Sequence, residues 1–266
     1  MMPARHHRPA RGTHGFTLVE LMVVVLVVAL LAAISVSLGR SMLVRAHISK
    51  STGNLRQLAT ANLNYASDHG RFCPADDRRN LVRWHGARTS SSGRFDPERG
   101  LLSPYLGRSR RVTDCPLFHP GEGGFDDGSG GYGYNSTYIG GIPGGGYDAD
   151  TGLRVSQRPA NVANPSRTVM FATTAYATAG GLREYAFCEP PFWDFGGGPS
   201  GHRPSPSTHF RANGRALVAA VDGSVTAVEP NTAQHGYNPH GGDSRDAGLG
   251  WFGPEANNGR WNPENP

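Results

Sequence analysis

The sequence is poor in cysteine, in charged residues and above all in lysine. Its three cysteines, Cys73, Cys115 and Cys188, are widely spaced and form no Cys-x-x-Cys pair, so a zinc site has no support. No nucleophile elbow, HExxH segment or supported catalytic triad occurs, and the chain is not predicted to be an enzyme. In an oxidising compartment we expect one disulfide and one spare thiol, with Cys115 and Cys188 as a candidate pair.

Charged residues make up 18% and hydrophobic residues 37% of the 266 residues, both low for a globular domain. The 37 glycines and 20 prolines predict much loop structure. The formal charge of +5 falls to +2 without the arginines of the first fifteen residues, and Lys50 is the only lysine. The remaining arginines are scattered among acidic residues, so nucleic-acid binding is not expected.

The amino terminus combines a basic segment with a long apolar run. Residues 1–15 contain no acidic residue, and residues 16–38 carry a single charge, at Glu20. As a helix the apolar run would extend about 35 Å, enough for a hydrocarbon core of about 30 Å. Because positive charges precede it, residues 1–15 are predicted to lie in the cytoplasm, followed by one membrane-spanning helix.

Two other interpretations of this apolar run, a secretory signal peptide and a plain signal anchor, fit the sequence less well. A secretory signal peptide should have a shorter apolar region followed by a small-residue cleavage site. A plain signal anchor accounts for everything except Glu20, because a carboxylate near the start of a membrane helix costs a few kcal/mol. Glu20 therefore needs a partner.

The segment Gly15-Phe16-Thr17-Leu18-Val19-Glu20 resembles the type III signal of type IV prepilins and type II secretion pseudopilins. The resemblance implies cleavage between Gly15 and Phe16 by a prepilin peptidase and N-methylation of the new Phe16 amine. It also implies that Glu20 pairs with the terminal amine of a neighbouring subunit and sets the register of assembly, which offsets the cost of burying either charge.

The resemblance also implies partners and a location. The partners are the prepilin peptidase, other pilin or pseudopilin subunits, an inner-membrane assembly platform and the lipid bilayer. The location is single-pass in the inner membrane, with the head in the periplasm or outside the cell. We therefore expect a structural subunit of a type IV pilus-like or type II secretion filament. The alternative is a helix-anchored module that never polymerises and binds calcium or polysaccharide.

The second part of the helix, residues 39–69, is amphipathic. Its apolar residues recur at helical spacing and predict a face that packs on the head; they are Val44, Ile48, Leu55, Ala59 and Ala66. The pattern stops at Gly70, a predicted C-terminal cap, so one helix is expected over 16–69.

The remainder is predicted to be a β-rich head over 70–230, giving an α+β fold in which the long helix packs on a loop-rich antiparallel sheet. An Asp222-Gly223 pair predicts a hairpin over 216–228 with a type I′ turn. Residues 231–266 are predicted to form an irregular tail, ordered where its tryptophans dock. The predicted strands are Thr168–Thr173, Glu184–Cys188, Ala216–Val221 and Ser224–Val228.

Several short segments along the chain also resemble a prepilin-like subgroup that is abundant in planctomycetes. Each segment alone is a weaker match than the amino-terminal signal. The matching elements, in chain order, are Gly70-Arg71-Phe72, Cys115-Pro116, Tyr134-Asn135-Ser136, Pro165–Phe171, and His209 with Asp222-Gly223. The chain departs from that subgroup in two respects. Twelve residues rather than nine separate His209 from Asp222, and Thr173 stands where the subgroup often has Asp.

Two sets of head residues could carry chemistry. His209 and Asp222 could form a metal or acid–base pair, although a structural histidine beside a turn aspartate is the simpler reading. Loop carboxylates in Gly-rich segments suit calcium, but their spacing matches no known cage; they are Asp126, Asp127, Asp148 and Asp150. Aromatic residues in the middle of the head suit either core packing or a glycan-binding face.

Overall fold

The computed structural model describes residues 17–121, 123–231 and 238–265. The chain divides into two compact units with a boundary between Arg45 and Ala46. A single helix, α1 (Leu18–His69), supplies the described part of the first unit and the opening segment of the second.

Helix α1 ends at the predicted cap. Gly70 has φ +69°, and its N–H donates to the Ala66 carbonyl at 2.8 Å. Glycine adopts this left-handed conformation without the steric penalty that a Cβ atom brings. The C-terminal boundary and the cap are therefore confirmed.

Within the second unit, the helix buries the predicted apolar face in the main core. Leu55 and Ala59 are fully buried, Ala66 is buried, and Ile48 packs on the core while partly exposed. The sequence did not predict that the same face also buries the polar residues Ser51, Asn54 and Asn62. Their hydrogen bonds tie the helix to other segments. Asn54 Nδ2, for example, donates to the Tyr132 hydroxyl at 3.1 Å, and the Cys73 N–H donates to Asn62 Oδ1 at 2.8 Å.

The head contains one four-stranded antiparallel sheet, in the order β3-β4-β8-β9, and the two-stranded pairs β1-β2, β5-β6 and β7-β10. The strands are β1 (Val82–Arg83), β2 (Gly86–Ala87), β3 (Tyr132–Tyr134), β4 (Val169–Thr173), β5 (Tyr176–Thr178), β6 (Gly181–Arg183), β7 (Thr208–His209), β8 (Ala216–Ala220), β9 (Val225–Val228) and β10 (Leu249–Gly250). Short 3-10 helices occupy Pro97–Arg99, Ser103–Tyr105, Gly107–Ser109, Pro159–Asn161 and Ala256–Asn258. A helix with antiparallel sheets confirms the α+β class.

Three of the four predicted strands are present, but the predicted strand at Glu184–Cys188 is wrong. Only an isolated parallel bridge joins Phe187 to Tyr134 there. Two backbone hydrogen bonds form at this bridge, from the Tyr134 N–H to the Ala186 carbonyl at 3.0 Å and from the Cys188 N–H to the Tyr134 carbonyl at 2.8 Å. The pairing does not continue, because the Ala186 N–H donates to the Asp126 carboxylate at 3.0 Å. The Glu184 side chain instead accepts the N–H groups of Gly128 and Gly130, both at 2.9 Å.

The predicted hairpin over 216–228 is confirmed, since β8 and β9 pair from Ala216↔Val228 to Ala219↔Val225. The predicted type I′ turn is wrong, because only Gly223 has positive φ (+85°) and Asp222 does not. The Gly223 N–H donates to the Ala220 carbonyl at 3.0 Å, as in a three-residue loop that ends in a left-handed glycine. Asp222 Oδ1 accepts the Ser224 N–H and hydroxyl, which favours negative φ at Asp222.

The carboxy-terminal segment is part of the core. Trp251, Phe252 and Trp261 are buried in a second apolar cluster with strand residues such as Val218. The Trp261 indole N–H donates to the Cys188 carbonyl at 3.0 Å. The predicted docking of the tryptophans is confirmed, while residues 232–237 of the predicted tail lie outside the described residues.

Candidate functional site

Thr17 and Glu20 form a reciprocal cap at the start of α1. The Thr17 N–H and hydroxyl both donate to Glu20 Oε2 at 2.8 Å, and the Glu20 N–H donates to Thr17 Oγ1 at 3.2 Å. This is the capping-box arrangement, which satisfies N–H groups that the first turn of a helix leaves without intrahelical partners. The Glu20 carboxylate is therefore held at the amino-terminal end of the helix, on an exposed surface.

Thr17 was not among the predicted site residues, although the sequence carries the signal for its role. Thr17-Leu18-Val19-Glu20 fits the S/T-x-x-E pattern that marks a helix start. The cap also gives Glu20 a local role beside the intermolecular one that the resemblance implies. Gly15 and Phe16, the predicted scissile pair, lie outside the described residues.

The residues that follow the cap expose their apolar side chains on every face of the helix. Leu18 is 75% exposed, Leu26 70% and Ile34 51%, and large apolar residues between them are similarly open. Across the described residues, no helix has both the length and the apolar character needed to cross a membrane.

The structure places His209 and Asp222 at opposite ends of strand β4, so the alternative of a joint metal or acid–base site gains no support. Thr173, at one end of β4, donates its hydroxyl to the His209 carbonyl at 3.0 Å. Asp222 lies beyond the other end, where its N–H donates to the Pro165 carbonyl at 3.1 Å. At about 3.3 Å per residue, the five-residue strand β4 is about 13 Å long, and these contacts of His209 and Asp222 lie at its opposite ends.

His209 is a core residue. Its ring packs edge-on against Phe118 with centroids 5.9 Å apart, and its Nδ1 is buried without a hydrogen-bond partner. Burial, with the Arg211 charge nearby, lowers the pKa of His209 to about 3. A histidine that stays neutral through the physiological range is unsuited to acid–base exchange near pH 7, so the structural reading of His209 is the better supported.

Thr173 connects the histidine segment to the hairpin. Its hydroxyl donates to the His209 carbonyl and accepts the Leu217 N–H at 3.1 Å. Thr173 stands where the resembled subgroup often has Asp. Its neutral hydroxyl thus joins β7 to β8. This is a structural contact between two motif segments.

The four candidate calcium ligands do not gather. Asp126 is fully buried and bonded to Arg83, Asp127 pairs with Arg94 at the surface, and Asp148 accepts the Thr151 N–H and hydroxyl. Within the described part of the chain, no cluster of three or more His, Cys, Asp or Glu residues could hold a metal ion. The calcium alternative therefore gains no support.

The buried Arg83–Asp126 ion pair was not predicted, because Asp126 reads as a loop aspartate in a Gly-rich segment. Arg83 Nη1 donates to Asp126 Oδ1, and the Ala186 N–H donates to Asp126 Oδ2 at 3.0 Å. Burial raises the pKa of Asp126, while the Arg83 charge opposes that rise. Since the two residues are 43 positions apart, no local pattern could have identified the pair.

Glu189 is a second buried carboxylate that the sequence did not mark. The Tyr185 hydroxyl donates to Glu189 Oε1 at 2.7 Å, and Oε2 is buried without a partner. Burial raises the pKa of Glu189 to about 7, against the opposing charge of Arg154. The carboxyl group thus changes its protonation in the physiological range.

The candidate disulfide between Cys115 and Cys188 is not formed. All three cysteines are free and buried, and these two belong to separate apolar clusters. Cys115 Sγ lies 3.4 Å from the Ser51 hydroxyl, and Cys188 Sγ lies 3.6 Å from Thr208 Oγ1. The thiols behave as small core side chains.

The aromatic residues of the head divide between core and surface. Tyr132 and Tyr134 are fully buried, and Tyr134 stacks on Phe171 with centroids 4.7 Å apart. Trp193 and Phe195 instead stack on each other in an outer loop, with Phe195 76% exposed. Core packing therefore accounts for the tyrosines of β3 but not for this pair.

Comparison with known proteins identifies one feature. A family model described as the prokaryotic N-terminal methylation motif matches residues 10–36. This motif is the prepilin-type signal of type IV pilins and pseudopilins. No significant similarity was found to curated proteins or to solved structures. The match includes residues 16–36 of the apolar run, with Glu20, and does not extend into the head.

Proposed function

Because the chain carries the prepilin-type signal, we propose that it is a pilin or pseudopilin subunit that assembles through its amino-terminal helix. The observation that supports this most directly is the methylation motif over residues 10–36, with Glu20 inside it. Prepilin peptidase would cut between Gly15 and Phe16, and the Phe16 amine would then be N-methylated. The product would be a filament subunit of a type IV pilus or a type II secretion system.

Exposure of the apolar helix supports membrane anchoring as part of this proposal. A soluble protein rarely exposes a continuous apolar surface of this kind without a partner. Lipid around the run 16–38 before assembly, and neighbouring helices afterwards, would cover side chains such as Leu18 and Leu26. The head would then lie in the periplasm or outside the cell, and the assembly platform would draw subunits from the inner membrane.

Glu20 gives the assembly its register. In a single chain its carboxylate is satisfied by Thr17, but hydrogen bonds from exposed neutral donors are weaker than an ion pair with an ammonium group in a low-dielectric environment. When helices pack, the terminal amine of one subunit would replace or join Thr17 as the donor to Glu20 of another. One pairing position along the helix would be favoured, because every other position leaves two charges buried alone.

The first test is mass spectrometry of the mature amino terminus, using membranes from cells that express the full chain with its prepilin peptidase. The proposal expects a start at N-methyl-Phe16, and an intact leader in matched cells without the peptidase. An intact leader in both strains would favour a plain signal anchor. Cleavage beyond Leu38 would release the head, and either result would contradict a pilin subunit.

A further inference from the structure

The head has a polar pocket that the proposed assembly does not use. Its volume is about 250 Å³, which corresponds to about eight water molecules in the liquid. Among the described residues, its lining includes two carboxylates and three amide side chains and no arginine, lysine or histidine. The carboxylates belong to Asp194 and Glu264, and the amides belong to Gln157, Asn257 and Asn262.

Asp194 is held in place by the wall of the pocket. The Tyr138 hydroxyl donates to Asp194 Oδ2 at 2.8 Å, and the Gly196 N–H donates to Asp194 Oδ1 at 3.0 Å. Gly196 has φ +106°, and a Cβ atom there would lie 2.8 Å from the Gly144 Cα atom, so the two loops pack closely because neither residue has a side chain. A carboxylate has about four lone-pair positions, so acceptor positions on Asp194 remain for a ligand.

Two buried amides in the lining keep unused donors. Gln157 and Asn262 are each 6% exposed. Their oxygens are occupied, because Gln157 Oε1 accepts the Arg158 N–H at 2.9 Å and Asn262 Oδ1 accepts the Glu264 N–H at 3.0 Å. Within the described part of the chain, the NH₂ group of neither side chain has a hydrogen-bond partner. A buried amide without a protein partner needs water or a ligand to accept from its N–H groups.

The charges at the pocket are negative. Burial raises the pKa of Tyr138, and the charges of Asp194 and Glu264 raise it further, so both carboxylates act on one hydroxyl. An anionic ligand would meet this repulsion with no basic group in the described lining to offset it. A cationic ligand would satisfy the carboxylates but leave the free amide N–H groups unpaired, since an ammonium group has donors and no acceptor.

Hydroxyl groups match this mixture of free donors and acceptors. A hydroxyl both donates and accepts, so it can bind a carboxylate and an amide N–H group at once, and a sugar ring presents several hydroxyls without a charge. We infer that this pocket binds one ring of a neutral saccharide. The volume suits a single ring, and Ile142 and Pro263 in the lining offer apolar surface to its C–H groups. The inference goes beyond filament assembly and does not rest on it.

The test is a titration followed by saturation-transfer difference NMR, using the full chain in a polyoxyethylene detergent, which has no sugar headgroup. The neutral probes are trisaccharides of glucose, galactose, mannose and N-acetylglucosamine. Trigalacturonate serves as an acidic sugar and 1,5-diaminopentane as a cation. We expect saturable binding of at least one neutral probe, and trigalacturonate at least about tenfold weaker because its carboxylates meet Asp194 and Glu264. No saturable binding of a neutral probe, or equally tight binding of trigalacturonate or the diamine, would overturn the inference.

Variants locate the binding. Asn262→Ala and Gln157→Ala should each weaken the binding of the neutral sugar about threefold or more, because each removes a hydrogen-bond donor. Asn64→Ala, at an exposed site on α1, makes the same change elsewhere and should retain affinity within about twofold. Phe195→Ser removes the exposed ring of the neighbouring loop position and should also retain affinity. Loss of binding with Phe195→Ser and not with Asn262→Ala would place the sugar on the aromatic pair and contradict the pocket.

Glu264→Gln gives a readout that a loss of folding cannot produce, since Glu264 is exposed. The substitution removes one negative charge and keeps an oxygen acceptor. It should therefore reduce the preference for neutral over acidic sugar about threefold or more. An unchanged preference would show that the carboxylate does not face the sugar, which would contradict the site. Near-ultraviolet circular dichroism without sugar confirms that each variant is folded.

Discussion

The Asn135 side-chain amide donates to the backbone carbonyl of Trp261, 2.9 Å away and 126 residues later in the chain. The same Nδ2 donates to the Val169 carbonyl at 2.9 Å, and Asn135 Oδ1 accepts the Tyr138 N–H at 3.2 Å. One fully buried side chain thus joins the central sheet to the carboxy-terminal segment.

Asn135→Ala should destabilise the head by about 2–4 kcal/mol, because it leaves buried backbone groups without partners. Urea denaturation followed by tryptophan fluorescence would measure the loss. Asn161→Ala is the control, since Asn161 is exposed and should change the free energy of unfolding by no more than about 0.5 kcal/mol. Equal effects of the two substitutions would show that the Asn135 contacts add nothing.

Glu20→Ala should abolish filaments while leaving cleavage at Gly15 intact. It removes the carboxylate that the proposed intermolecular pair needs, but it also removes the Thr17 cap, which is worth about 1 kcal/mol. Thr17→Ala is the matched variant, because it loses both hydroxyl contacts of the cap and keeps the carboxylate. Electron microscopy of sheared fractions should show filaments with Thr17→Ala and none with Glu20→Ala. Filaments with Glu20→Ala would contradict the assembly role and favour a helix-anchored binding module.

Glu189 makes the stability of the head depend on pH. Its pKa is about 7 in the folded head, above its ordinary value of 4.5, so the folded state holds a proton that the unfolded state releases between these values. The contribution is therefore complete below pH 4.5 and is lost as pH rises through 7. By linkage, the loss is about 3 kcal/mol.

Glu189→Gln should remove that dependence, because a glutamine still accepts from Tyr185 but cannot ionise. The variant and the natural chain should be similar in stability near pH 4.5 and diverge towards pH 8, with the variant more stable. Urea denaturation at five or six pH values would test this. Glu98→Gln, at an exposed site, should leave the pH profile unchanged; parallel profiles for Glu189→Gln and the natural chain would contradict the assignment.

The three thiols should be unreactive until the head unfolds. Cys73, Cys115 and Cys188 are all buried, and burial raises the pKa of Cys188 to about 12, which removes its thiolate at neutral pH. A thiol reagent should therefore react slowly with the native chain and with three groups in denaturant. A reductant should leave the midpoint of unfolding unchanged. A mass two daltons low before reduction would instead reveal a disulfide.

Local patterns predicted the features that depend on neighbours in the chain. The apolar run, the helix end at Gly70 and the hairpin over 216–228 follow from hydropathy, backbone freedom and turn chemistry within a few residues. The error at Asp222 is instructive, because Asp-Gly fits two hairpin turns and the Ser224 contacts decide between them. The resemblance at residues 15–20 supplied the functional hypothesis, which no property of the head could have suggested.

Long-range contacts were beyond such patterns. Arg83 meets Asp126, Arg260 meets Arg167, and Glu184 binds the Gly128 loop only because the fold brings distant segments together. The segment Glu184–Cys188 has the composition of a strand, but its neighbours satisfy its backbone irregularly. β-Strand propensity is a property of single residues, whereas the formation of a strand also depends on which groups lie opposite the segment in the fold.

The polar residues on the buried face of α1 have a mechanical consequence. A helix held only by apolar contacts can rotate or slide against a sheet at low cost, because such contacts have little directional preference. Ser51, Asn54 and Asn62 bond to fixed atoms of the head, including the Tyr132 hydroxyl and the Cys73 N–H. A displacement of one residue would break all of these bonds together. Tension along residues 46–69 would therefore load the head in shear across several bonds at once, so this segment and the head would carry force together.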